Sequence, residues 1–243
     1  MIFSDWTKEK IFAWAVHLFT ASGVVFAALA LLAILDNQPQ HCVLWLSVSL
    51  VIDGVDGTLA RKFRVKNVLP QVDGSALDLI IDYLNYVFIP VLFMYYYTRF
   101  PAYMGFITLA CILVSSLYCF ANIEMKSKDY YFVGFPATWN VVALYFYVLQ
   151  TGGWFNMRVS LLLCLLTFTK IKFLHPFRVR TLMPLNILIT GIWFSTSIAL
   201  SQLRPQERTV TVIWVMWLFS SLYVFSVSLM RTYFHCWRSK KNQ

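Results

Sequence analysis

Apolar runs of near-spanning length recur along the chain, at about 12–35, 41–59, 75–97, 101–122, 136–150, 158–174, 183–203 and 210–230. About 20 such residues carry a helix across the hydrocarbon layer of a membrane. A chain with so many runs has little freedom to fold otherwise. Of its 243 residues, 59% are hydrophobic and 13% are charged, against roughly half and a quarter in a soluble domain. The expected fold is all-α: a polytopic membrane helix bundle of about eight transmembrane helices, with the fifth and sixth short. It forms one integral membrane domain over 1–243, with no room for a separate soluble domain. Residues 1–10 (MIFSDWTKEK) lack a small-residue cleavage site, so no cleaved leader is expected. Residues 1–11 read equally as an interfacial amphipathic helix, with Ile2, Phe3 and Trp6 in lipid, or as a solvated tail.

The formal net charge is +9. The segments between runs alternate in their basic content. One set holds Lys8 and Lys10; Arg61, Lys62, Arg64 and Lys66; Lys126 and Lys128; Lys170, Lys172, Arg178 and Arg180; and Arg231, Arg238, Lys240 and Lys241. The other set is poor: 36–40 and 151–157 have no Lys or Arg, 98–100 has Arg99, and 204–209 has Arg204 and Arg208. Positive charge stays on the cytoplasmic side, so both termini are expected there. Basic residues scattered between spans speak against nucleic-acid binding. The five cysteines form no CxxC and the four histidines no HxxxH or HExxH, so neither a disulfide framework nor a zinc site is expected.

Against this apolar background, residues 53–82 hold five of the eleven acidic side chains. Asp53 and Asp56 are three apart, and Asp78 and Asp82 are four apart, so each pair shares one helix face. A bare carboxylate at membrane depth costs several kcal/mol unless it is partnered or lines a cavity. Four together call for a divalent cation, and their hard oxygens suit Mg²⁺, Mn²⁺ or Ca²⁺. Gly57, Ala60 and Gly74 allow two helices, or a flat ligand, to approach closely. Arg61 suits a phosphate. Together these residues describe a two-metal site that grips a diphosphate. Asp73 falls outside the pairs and reads as a helix cap.

In order, Asp53, Asp56, Gly57, Ala60, Arg61, Gly74, Asp78 and Asp82 spell DxxDGxxAR, a spacer, and GxxxDxxxD. This pattern resembles the signature of the CDP-alcohol phosphotransferases, integral membrane enzymes that displace CMP from a CDP-linked lipid or alcohol. Gly54, the twelve-residue spacer, and the segments KSKDYYFVGFPATWN (126–140) and FLHPFRVRTLMPLN (173–186) resemble the bacterial branch that uses choline. The resemblance covers most of the chain. It implies transfer of the phosphatidyl group of CDP-diacylglycerol to choline at a bacterial inner membrane, with the site on the cytoplasmic side. Asp53, Asp56, Asp78 and Asp82 would hold two Mn²⁺ or Mg²⁺ ions, and Asp82 would be the general base. Gly57, Ala60 and Gly74 would border the cytidine. The family's members are often dimers, although no stretch here specifies that contact.

His175, Arg178 and Arg180 form a basic cluster suited to a diphosphate, or an ordinary positive loop. Choline is a permanent cation and seeks aromatic faces, often with a carboxylate. Candidates for it are Tyr83 and Tyr86 beside Asp82, then Glu124, Asp129, Phe132, Phe135 and Trp139, with Asn140 orienting a hydroxyl. Each aromatic reads as well as membrane packing. Gly134–Pro136 should break a helix. His17, Thr20 and Ser22 face the pocket or bond between helices. Serine, glycerol 3-phosphate or an inositol phosphate remain open as acceptors. A cation pathway or a lipid-binding scaffold are the readings from other classes.

Overall fold

The computed structural model describes residues 7–122, 132–169, 171–173, 183–203 and 211–241. Helix α1 (Lys8–Leu35) begins where the Thr7 hydroxyl accepts from the Lys10 N–H. Lys8–Ile11 are thus its first turn, and residues 1–6 lie outside the described residues. Asn37, at φ 55°, turns the chain back. Pro39 opens α2 (Pro39–Lys62) in the first turn, where a missing N–H is harmless, and α2 packs along α1. Arg61 and Lys62 in its last turn complement the negative helix end. One short turn, α3 (Val65–Val68), follows.

Asp73 caps α4 (Gly74–Tyr83), accepting from Ser75 N at 2.9 Å and Ala76 N at 3.2 Å, as the sequence suggests. Next comes a π-helical turn, Leu84–Phe88, which runs on into α5 (Ile89–Tyr97). Pro90 gives the physical reason for that turn. It offers no N–H to the carbonyl of Tyr86, and its ring crowds that carbonyl, so the helix widens. The three pieces make one span, Gly74–Tyr97.

The rest is α6 (Gly105–Ala121), α7 (Trp139–Leu149), α8 (Gly153–Leu166), α9 (Met183–Gln202) and α10 (Thr211–Lys241). Strand β1 (Phe132–Val133) pairs antiparallel with β2 (Lys172–Phe173), Phe132 opposite Phe173. This pair is the one departure from all-helical structure among the described residues, and it joins the two segments that carried the finer resemblance. Gly134 follows at φ 81°, where a Cβ would lie 2.4 Å from the Thr167 carbonyl oxygen. Gly134–Pro136 therefore sits in a non-helical bend, as expected.

Among the described residues, four spans are long and apolar enough to cross a membrane: α1, α2, Gly74–Tyr97 and α9. Four shorter apolar helices accompany them: Gly105–Ala121, Trp139–Leu149, Gly153–Leu166 and Thr211–Val227. Each of the eight expected runs thus contains a helix. The sixth is shorter than its apolar run, because α8 stops at Leu166, whose carbonyl accepts from Phe135 N at 3.2 Å. Outward faces carry Leu18, Ile80, Phe106, Val114 and Phe219, an exterior suited to lipid. The main core gathers Ala30, Val87, Met94, Ile112, Trp139 and Leu200, and a smaller one gathers Ala13, Val16, Val65 and Leu69.

Candidate active site

A small cavity lies between α1, α2 and the Gly74–Tyr97 span, touched by α7. All four signature aspartates line it, Asp53 and Asp56 from α2, Asp78 and Asp82 from α4. Helical spacing accounts for this: each pair stands on one face, and the two faces meet. Asp53, Asp78 and Asp82 each offer an oxygen, all within 4.8 Å of one another. If all were charged, each pair would repel by roughly 3 kcal/mol or more at an effective dielectric near 20. No Lys or Arg lines the cavity among the described residues. The triad therefore suits a divalent cation with hard oxygen ligands. Asp56, 6% exposed, lines the same cavity outside that triad.

Tyr86, on the π turn, donates its hydroxyl to Asp53 Oδ2 at 2.5 Å. That bond holds one carboxylate of the triad in place. Asn85 donates from Nδ2 to the carbonyls of Ile81 at 3.0 Å and Gly23 at 3.2 Å, tying α4 to α1. Gly23 permits the approach: a Cβ there would stand 2.6 Å from Ile81 Cγ2. Thr20 and Ser49 complete the polar lining. Ser22 instead donates to its own helix, to the Phe19 carbonyl at 2.6 Å. His17 is buried and packs against Gly74, where a Cβ would lie 3.0 Å from His17 Cε1.

The small residues and the basic residue stand outside the cavity lining. Gly74 serves the contact of α4 with α1. Ala60 packs against the smaller core. Gly57 leaves room for Arg61, whose Nη1 would be 3.4 Å from a Cβ there. The exposed Arg61 guanidinium donates to Thr58 Oγ1 at 3.1 Å.

Two expected choline contacts need correction. Trp139 is 0% exposed, and its Nε1 donates to Ser116 Oγ at 2.8 Å, so it is a core residue. Phe135 packs edge-on against it at 5.0 Å. Tyr83 turns toward α6, donating to the Leu113 carbonyl at 3.2 Å and meeting Phe120 edge-on. Tyr86 and Asn140 do line the cavity. Glu124, Asp129, Lys126, His175, Arg178 and Arg180 lie outside the described residues, as does the Phe132 side chain.

A second, mainly apolar cavity lies between α2, α7 and α9. It shares Leu46, Leu50 and Asn140 with the first, so the two are neighbours. Gly23, Ser49 and Asn85 join the site without belonging to the signature. The available signal was Asn85 itself, a polar residue one turn past Asp82 in an apolar run.

Residues 14–174 match the family described as CDP-alcohol phosphatidyltransferase. The chain is similar to the phosphatidylcholine synthase of Pseudomonas aeruginosa, 53% identical over 92% of this chain and 93% of that one. It is also similar to that of Agrobacterium fabrum, 40% identical over 76% of each chain. With that of Borreliella burgdorferi it is 37% identical over 75% of this chain and 78% of the other.

Proposed function

The chain belongs to the CDP-alcohol phosphatidyltransferase family, and on that premise we propose that it transfers the phosphatidyl group of CDP-diacylglycerol to choline, giving phosphatidylcholine and CMP. The observation that carries this reading is the meeting of all four signature aspartates in one cavity beside an apolar one. The polar cavity suits the diphosphate, and the apolar one suits the glycerolipid.

Asp53, Asp78 and Asp82, with Asp56 beside them, would hold two Mn²⁺ or Mg²⁺ ions. Bound there, such ions neutralise the diphosphate oxygens and the departing CMP. Asp82 takes the proton of the choline hydroxyl as its oxygen attacks the phosphorus next to the lipid. A new bond forms between that oxygen and phosphorus, and the bond from phosphorus to CMP breaks. Tyr86 keeps Asp53 from rotating while charge builds up.

The protein is an integral membrane protein with several apolar helices. The finer placement follows from charge: both termini and the site face the cytoplasm of a bacterial inner membrane, where CDP-lipid and choline meet. Arg61 and Lys62, at the same end of α2 as the aspartates, agree with that side.

The test is CMP release from CDP-diacylglycerol by purified protein with Mn²⁺, offering choline, serine, glycerol 3-phosphate and an inositol phosphate in turn. Choline is expected to support turnover. Turnover with serine and none with choline would refute the acceptor assignment. Asp82→Asn should cut turnover at least about 100-fold, as loss of a general base does. Ion flux in liposomes without CMP release would instead mark a cation pathway.

A further inference from the structure

We infer that the side-chain oxygen of Asn85 faces the quaternary ammonium of choline and selects the charged acceptor. The inference rests on the choline reading above and adds a residue to it. Asn85 is 5% exposed and lines the cavity that holds the four aspartates. Both of its amide hydrogens are spent, one on the Ile81 carbonyl and one on that of Gly23. Those two carbonyls fix which way the amide lies, because turned over it would set oxygen against oxygen. Its Oδ1 is left buried with no hydrogen-bond partner. A buried amide oxygen without a partner is costly, so a site that keeps one has a use for it.

The hydroxyls of Thr20 and Ser49 and the amide of Asn140 line the same cavity, and none of them donates to Oδ1. The four carboxylates are acceptors when ionised. The Tyr86 hydroxyl hydrogen is already given to Asp53. The diphosphate and the ester groups of the lipid are acceptors as well. Choline's hydroxyl has one hydrogen, and that goes to the base. What remains of choline is its cationic head, and the negative end of a carbonyl dipole suits it. Its polarised methyl groups make C–H···O contacts with such an oxygen.

The placement agrees. Counting inward from the capped start of α4, Asp78, Asp82 and Asn85 stand at successively greater depth in the span. Asn85 is three residues beyond Asp82, about 4.5 Å along a helix axis. Choline's two-carbon bridge reaches from a hydroxyl at Asp82 to an ammonium about one turn deeper. The nucleotide, arriving from water, meets the shallow end near Arg61, so its ribose and base are at the opposite side. The Tyr86 ring and Asn140 line the same cavity and complete the surroundings of the cation.

The probe is 3,3-dimethylbutan-1-ol, choline's neutral carbon isostere, which separates charge from shape. The measurement is kcat/KM for choline and for this alcohol, with CDP-diacylglycerol and Mn²⁺ saturating. The wild type should prefer choline. Asn85→Leu should lose about five- to tenfold of that preference, with the Mn²⁺ concentration for half-maximal activity unchanged. Asn85→Ala removes the same oxygen in a smaller side chain and should lose preference in the same direction, so the inference does not depend on one variant folding. Three results would overturn it: a wild type indifferent to the charge, Asn85→Leu slowing both alcohols equally, or an unchanged preference with a raised Mn²⁺ requirement. A wild type active with serine and silent with choline overturns the underlying reading and this inference with it. A wild type active with choline while the Asn85 variants keep the preference overturns the inference alone.

Discussion

Tyr86 and Asp53 stand 33 positions apart, yet a 2.5 Å hydrogen bond joins them at the centre of the site. From the sequence, Tyr86 is an aromatic ring one turn past Asp82, and a ring suggests choline. The structure uses its hydroxyl as well, as the donor that orients a carboxylate. Tyr86→Phe keeps the ring and removes that donor. It should raise the Mn²⁺ concentration for half-maximal activity about tenfold, the usual cost of losing such support. The KM for choline should change by less than about twofold, since the ring remains. A raised choline KM with an unchanged Mn²⁺ requirement would mean that the hydroxyl serves the alcohol. The four aspartates were legible because charge in an apolar run is expensive and their spacing places them on shared faces. The aromatic roles were not. Trp139 is a core residue because Ser116, 23 positions away, receives its N–H, and nothing local to residue 139 says so. Gly54, part of the finer resemblance, would meet nothing within 4 Å as alanine, and nothing in the structure explains it.

At the scale of the elements, apolar length alone made the helices readable, and the two runs expected to be short hold the two shortest of the four shorter apolar helices, α6 and Thr211–Val227 being short as well. What it left out are the places where one element answers to another. The end of α8 and the β1–β2 pair depend on contacts between segments far apart in sequence. The π turn had a local cause in Pro90, but its consequence is tertiary: it carries Asn85 and Tyr86 toward α1 and α2. That arrangement needs α1 close to α4 at Gly23. Gly23→Ala would put a methyl 2.6 Å from Ile81 Cγ2, on a β-branched side chain with little room to rotate. The cost should be about 1–3 kcal/mol, as for other overpacked contacts, read as a lower thermal midpoint in detergent. Activity should fall further than stability, since the same shift pulls Gly23's carbonyl from Asn85. Gly191→Ala in α9, which meets nothing within 4 Å, is the control and should be neutral or slightly stabilising. Equal effects of the two substitutions would mean that the α1–α4 contact is not a tight one.

For the whole molecule, the question is which side of the membrane the cavity serves. If all eight apolar helices cross, they return the chain to the side from which it started. The basic segments, 61–66 among them, would then share that side, with the turns at 36–38 and 151–152 on the other. The aspartates stand near the basic end of α2, which would make the substrate side and the positive side one. This can be read without measuring activity. In a cysteine-free background, Thr151→Cys should react with a membrane-impermeant maleimide in intact cells. Lys66→Cys and Gln243→Cys should stay unlabelled until the cells are opened. Labelling of Lys66→Cys from outside would put the carboxylates on the face that has no cytidine nucleotide, and phosphatidyl transfer would have no donor there. Labelling of Gln243→Cys alone would instead mean an odd number of crossings, with one of the shorter helices α6, α7, α8 or α10 failing to span. Of these, α7, the shortest at 11 residues, reaches about 16 Å at 1.5 Å per residue. A helix that short crosses a bilayer only where its neighbours thin or cover the lipid around it. The main core, in which Trp139, Ala143, Phe146 and Val148 of α7 are enclosed by other helices, is the covering that would let it do so.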